Sequence, residues 1–289
     1  MKTQKLVLGI MISFLIVSCS KDEVVDSNKA LTATEAKVDT EIDGIADDVS
    51  TVIDDQFEIQ RAISGRPSGE EARSGFDNAV QTHLPSCVTI TTVVTATTWT
   101  RTVDFGTVGC QMPNGNILKG KIIISGSIHF NQSSHIISYT FLNFYHNNKL
   151  IQGNKTVVRT MIETNAVPYA HPLVNMSLNL SVTYPNGNVH TRVGVRTREF
   201  IGGFLTPLVS HDNVFSVTGN WTTTSPNGTH TTTIIIPLIV KMSCPHIVKG
   251  AIQMVRNNNT AVLDYGNGEC DNQATLTING ITTTITLGN

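Results

Sequence analysis

The triplet Pro-Asn-Gly occurs at Pro113-Asn114-Gly115, Pro185-Asn186-Gly187 and Pro226-Asn227-Gly228, and a further Asn279-Gly280 pair stands near the end of the chain. Pro presets φ at the first corner of a turn, Asn tolerates the next, and Gly takes the left-handed position. Each triplet therefore predicts a tight turn joining antiparallel strands. The runs between them agree. "CVTITTVVTATTWT", "GKIIISGSIHF", "HIISYTFLNFY" and "TTTIIIPLIV" are rich in β-branched and aromatic residues, which fit a pleated, half-buried surface. No segment between these runs has the length and period of a crossover helix, which argues against parallel βαβ units. The fold class read from the body is mainly β, an antiparallel hairpin meander forming a sandwich or open barrel. A β-solenoid is the rival. It needs a short fixed period, whereas the triplets lie 72 (113 to 185) and then 41 (185 to 226) residues apart.

Ahead of these hairpins the period changes. Thr32 and Glu35 form the S/T-x-x-E capping box of a helix start, and Val38, Ile42, Ile45, Val49, Val52 and Ile59 follow at alternating spacings near three and four. Gly65 and Pro67 supply the stop. A helix over residues 32–65 is predicted, on the order of 45 Å long at about 1.5 Å per residue. Gly44 weakens it by about 1 kcal/mol relative to Ala. The narrow stripe suits a helix docked on the body, with a coiled-coil stalk as the alternative. The carboxylates on the other face read as a solvated surface.

Charge is unevenly placed. Residues 20–60 hold 12 of the 22 carboxylates against three lysines, while residues 78–289 hold seven against 12 Lys and Arg. A surplus of five positive charges over more than 200 residues lacks the clustered stripe that nucleic acid requires, so no nucleic-acid partner is expected.

At the amino terminus Lys2 and Lys5 precede an apolar run from Leu6 to Val17, too short for a span of roughly 20 residues but suited to a secretory signal. The run ends in "IVSCSKDE", which resembles the lipobox of bacterial lipoproteins. That resemblance implies cleavage of residues 1–18 and acylation of Cys19 with palmitate-type chains. Each buried methylene of such a chain contributes about 0.8 kcal/mol to anchoring. The acidic "SKDE" after Cys19 resembles the export signal that sends Bacteroidota lipoproteins to the outer face of the outer membrane. Residues 19–31 then read as an acidic tether, 66–80 as a linker, and 81–289 as the β-rich body.

One phrase is written twice. "VDFGTVGC" ends at Cys110 and "LDYGNGEC" at Cys270, with Asp, aromatic, Gly and Cys at identical spacing, and Ser86-Cys87 and Ser243-Cys244 open the two segments. With Cys19 lipidated, four cysteines remain in an exported chain and allow three disulfide pairings. The duplicated layout favours Cys87 with Cys110 and Cys244 with Cys270, each loop being worth roughly 3 to 4 kcal/mol in chain entropy. Without a C-x-x-C pair, zinc is poorly supported and no metal cofactor is expected. Asp104 with Gly106, and Asp264 with Gly266, read as turn residues: the Asp bonds a nearby backbone donor and the Gly takes positive φ. A calcium loop from Asp264, Asn267 and Asp271 is the sharper alternative, weakened because the first copy lacks the Asn and the second Asp.

For catalysis there is no G-x-S-x-G elbow, H-E-x-x-H helix, P-loop or dinucleotide fingerprint. Glu163, Glu199 and Asp212 are carboxylates available to a glycosidase, but nothing in their spacing recommends them. His190 and His230 each follow a Pro-Asn-Gly turn and read as solvent-facing strand residues. Arg192, Arg196 and Arg198 stand at even spacing, so on a strand they share a face. They read as a charged edge, or as an anion-binding row. Trp99 and Trp221 are core residues or sugar-stacking platforms.

The layout of lipobox, acidic helix, Thr/Asn-rich hairpins and the ending "DYGNGECDNQATLTINGITTTITL" resembles uncharacterised surface lipoproteins of Bacteroidota, a likeness that carries no assigned activity. The leading functional expectation is a non-enzymatic envelope lipoprotein, a binding or structural module held at the membrane by its lipid, with a glycan or envelope protein as partner. A surface hydrolase of glycan or peptide is the first alternative, and an envelope lipid carrier the second.

Overall fold

The computed structural model describes residues 30–64, 84–206 and 211–288. The expected signal sequence (residues 1–18), Cys19, most of the expected tether and the expected linker 66–80 lie outside the described residues. One helix, α1 (Ala33–Ser64), precedes fourteen strands: β1 (Thr89–Val94), β2 (Thr98–Asp104), β3 (Cys110–Gln111), β4 (Ile117–Ser127), β5 (Ser134–His146), β6 (Lys149–Ile162), β7 (His171–Thr183), β8 (Val189–Gly202), β9 (Val214–Ser225), β10 (Gly228–Lys241), β11 (Lys249–Arg256), β12 (Asn259–Asn267), β13 (Gln273–Ile278) and β14 (Ile281–Thr286).

All the strands belong to one antiparallel sheet, in which neighbours follow sequence order from β1 to β14 and β3 pairs beside β4. This is the hairpin meander, and its antiparallel, sequence-adjacent pairing replaces the solenoid alternative. Two of the triplets take the expected form: Gly115 and Gly187 have φ of 87° and 86°, and their N–H groups donate to the carbonyls of Met112 and Tyr184; in the third, Gly228 (φ 119°) already pairs with Ser225 at the start of β10.

The sheet curls around α1. Its inward residues reach the helix from β2 (Arg101 to Gln60), β5 (His146 to Asp48), β8 (Arg192 to Asp43), β10 (His230 to Asp39), β11 (Arg256 to Glu35) and β12 (Tyr265 to Asp43). A single sheet can present one face to so many sides of a helix only by wrapping it. The lengths match, since 13 or 14 residues in β5 to β8 at about 3.4 Å each run nearly the length of the helix. The helix is thus wrapped on most of its sides, beyond the docking expected and in place of a stalk, with one stripe left half-buried. The helix start is capped as expected, with Glu35 N–H donating to Thr32 Oγ1 and Thr32 N–H to Glu35 Oε2. Leu31, assigned from sequence to the tether, is buried at 4% exposure.

Two apolar clusters flank the helix. Ile42, Ile45, Val49, Val52, Ile53 and Phe57 pack on β2 to β7, while Leu31 and Ala36 join the cluster of β9 to β14. Trp99 and Trp221 are both buried, at 0% and 2% exposure, and neither is a surface platform. Each faces a glycine on the neighbouring strand, Trp99 opposite Gly126 and Trp221 opposite Gly194. A Cβ on Gly194 would come within 2.5 Å of the Trp221 Cα, which explains a glycine in mid-strand.

The duplicated phrase is structural in both copies. Asp104 and Asp264 each accept from the N–H of the glycine two residues on, at 2.9 and 2.8 Å, and Gly106 and Gly266 have φ of 73° and 91°. Phe105 and Tyr265 between them are buried. Disulfides join Cys87 to Cys110 and Cys244 to Cys270, with Cα atoms 5.9 and 5.3 Å apart.

Candidate functional site

Successive turns of α1 carry Glu35, Asp39, Asp43 and Asp47, a column of carboxylates on one face. All four are buried, which corrects the solvated surface read from sequence. The residues that receive them stand on β8, where strand alternation turns His190, Arg192, Arg196 and Arg198 to the same side. That side is the interior, and β8 lies between β7 and β9, so the arginines form neither a charged edge nor a surface row. They do bind anions, but the anions belong to the same chain.

Arg192 spans two turns, with Nη2 3.1 Å from Asp39 Oδ1 and Nη1 2.5 Å from Asp43 Oδ1. Arg196 lies 3.3 Å from Asp47 and 3.8 Å from Asp43. Arg256 on β11 closes the column at Glu35, at 2.6 Å. His230 Nε2 is 3.1 Å from Asp39 Oδ2, which also accepts from Thr232 Oγ1 at 3.0 Å. His190 and His230 are therefore interior residues, 7% and 3% exposed, rather than solvent-facing ones. The Trp221 ring lies beneath both Arg192 and Arg196, at 4.7 and 5.5 Å, adding cation–π attraction where water is excluded.

The column is electrostatically uneven. Burial alone would raise the Asp39 carboxyl, but Arg192, His230 and Thr232 outweigh it and hold the group below the ordinary carboxylate range. At Asp43 burial prevails over Arg192 and Arg196, with Asp39 and Asp47 adding repulsion, and the carboxyl is pushed up. The interior charge is matched one helical turn at a time, and Asp43 in the middle is the strained member.

A third stripe of α1, formed by Glu41, Gly44, Asp48, Thr51, Asp54 and Glu58, is only half-buried. At its centre Asp48 accepts from Asn114 and Asn116 of the first Pro-Asn-Gly turn and lies 2.8 Å from His146 Nε2. This turn therefore grips the helix as well as reversing the chain. Near the helix end, a pocket of about 190 Å3 opens between Asp54, Glu58 and Ile59 on α1 and Pro172, Val174, Phe200, Phe204 and Phe215 on the wall. The three phenylalanines form one group, with Phe200 4.6 Å from Phe215 and 5.6 Å from Phe204. Arg198, 1% exposed, lies 3.5 Å over the Phe215 ring and donates to Asp54 Oδ2 at 3.0 Å and Thr51 Oγ1 at 3.2 Å. Arg159 pairs with Glu58. Burial pushes the Asp54 carboxyl up against the opposing pull of Arg198 and Arg159.

The remaining sequence candidates are held elsewhere. Glu199 accepts from Thr164 Oγ1 and lies 3.0 Å from His171 Nε2, Asp212 accepts from Thr206 Oγ1, and Glu163 is exposed. They do not share one cleft with each other. In the second duplicated segment, the Asp264 and Asp271 carboxylates face the N–H groups of Gly266 and Gln273. Among the described residues no group of three or more His, Cys, Asp or Glu is placed to hold a metal ion. None of them forms a helix long and apolar enough to cross a membrane. The trace of the interior charge column in the sequence is the four-residue carboxylate period on α1 together with the even spacing of the arginines on β8. Compared with known protein families, curated proteins and solved structures, the chain matches none.

Proposed function

We propose that this chain is a non-enzymatic outer-membrane lipoprotein, anchored through acylated Cys19 and presenting a β-rich binding module at the cell surface to a glycan or an envelope protein. The observation that carries the reading is where the reactive side chains go: Arg192, Arg196, Arg256 and His230 are engaged with helix carboxylates inside the wall. Such groups fasten a scaffold. The "IVSCSKDE" segment supports the anchor, and two disulfides suit an oxidising compartment. The helix fills the interior volume that a lipid carrier of this size would need.

The anchor is tested by fractionation and palmitate labelling in the native host. Cys19→Ala is expected to abolish label and release the protein from membranes; continued membrane association defeats the lipoprotein reading. The non-enzymatic part is tested by incubating the purified protein with envelope glycans and peptides. Turnover that a single substitution abolishes would overturn it.

A further inference from the structure

Beyond anchoring and display, the pocket at the end of α1 has the shape and chemistry of a small-molecule seat. We infer that it binds an organic ammonium ion carrying a phenyl-sized ring or a short alkyl group. This deepens the binding-module reading, and it rests on that reading but not on the lipid anchor.

Size comes first. A cavity of about 150 Å3 lined by apolar residues holds benzene, and this pocket is about 190 Å3. Its apolar lining includes Phe200, Phe204, Phe215 and Val174, of which Phe204 is half-buried. A ring of the ligand stacks or tilts against these phenylalanines as they do against each other.

Charge decides the head group. Six ionisable side chains line the pocket: Asp54, Asp55, Glu58, Arg61, Arg159 and Arg198. The guanidinium groups of Arg198 and Arg159 lie deep, with side chains 1% and 5% exposed, each behind the carboxylate it pairs with. Asp54 and Glu58 keep 21% and 35% of their side-chain surface open, and Arg61, 50% open, is the one cation of the six exposed beyond them. Arg61 reaches Glu58 from outside at 2.8 Å, which leaves Asp54 as the principal acceptor. A carboxylate ligand would have to displace Asp54 from Arg198 or Glu58 from Arg61, whereas an ammonium ion adds to the Asp54 pair.

Isothermal titration of the full chain with phenethylammonium, 2-phenylethanol and phenylacetate tests this. Saturable binding is expected for the ammonium ion, at least tenfold tighter than for the alcohol, with phenylacetate weakest. Phe204→Ala, at a half-buried position, should weaken all binding about tenfold while the melting curve is retained. Asp54→Asn should remove the preference for ammonium over alcohol. Absence of saturable binding by the intact protein overturns the inference, as does tighter binding of phenylacetate, and so does Phe204→Ala leaving affinity unchanged. Should Asp54→Asn fail to fold, the three-probe ranking and Phe204→Ala still decide. Failure here leaves the Cys19 test untouched, so the two proposals fall separately.

Discussion

The two sides of the wall hold the same helix by opposite means. On one side β2 to β7 meet Ile42, Ile45, Val49, Val52, Ile53 and Phe57 with apolar side chains. On the other, β8, β10 and β11 meet Glu35, Asp39, Asp43 and Asp47 with Arg192, Arg196, His230 and Arg256. Apolar packing is tolerant of partner identity and roughly proportional to the area removed from water. Buried charge is unforgiving, because each ion removed from water needs its own partner in the right place. The apolar side accounts for burial of the helix, and the charged side fixes which residues of the wall it must face.

The comparison breaks most sharply at Arg192. Arg192→Met leaves Asp39 and Asp43 buried with reduced compensation and should cost about 3–5 kcal/mol, measured by denaturant unfolding. Ile53→Ala on the opposite side should cost about 2–5 kcal/mol. The decisive difference is rescue. Combining Arg192→Met with Asp43→Leu, which leaves Asp39 to His230 and Thr232 and Arg196 to Asp47, should recover part of the loss, and no recovery would show that the charged side acts through more than paired neutralisation.

Acid sharpens the same contrast. His190, His135 and His246 are held below the ordinary imidazole range, chiefly by burial. The unfolded chain therefore takes up protons first as pH falls below about 6.5, and stability declines from there. Asp39, held below the ordinary carboxylate range, contributes stability above that range which is lost as pH falls through its folded value. Thermal midpoints should decline as pH is lowered from 7.5 to 5.5, and His190→Gln should flatten that decline. An unchanged slope would remove His190 from the account.

The smallest effect belongs to the helix start, outside both faces. Thr32→Ala removes the acceptor of the Glu35 N–H and should cost about 1 kcal/mol, again by unfolding. A loss several times larger would mean that the cap also sets how α1 enters the wall.

Much of this protein could be read without coordinates. The Pro-Asn-Gly triplets set the hairpins, the Thr32 and Glu35 pair marked the helix start, and the doubled Asp-aromatic-Gly-Cys phrase pointed to the two disulfide pairs. These signals are local: turn preference, capping and loop closure act over a few to some 25 residues. The even spacing of Arg192, Arg196 and Arg198 likewise disclosed a shared face.

Which face it was, the sequence could not disclose. Arg, Asp and Glu are almost never fully buried unless paired, so a row of either sign read alone belongs outside. Only the tertiary structure brings Asp43 and Arg192 together across 149 residues, turning two rows expected in solvent into one interior column. The aromatic pocket has the same origin, since Asp54, Glu58 and Ile59 on α1 and Phe200, Phe204 and Phe215 on the wall share no local pattern. Period and turn chemistry determined the elements; the curl of the sheet around α1 decided which charges water would never reach.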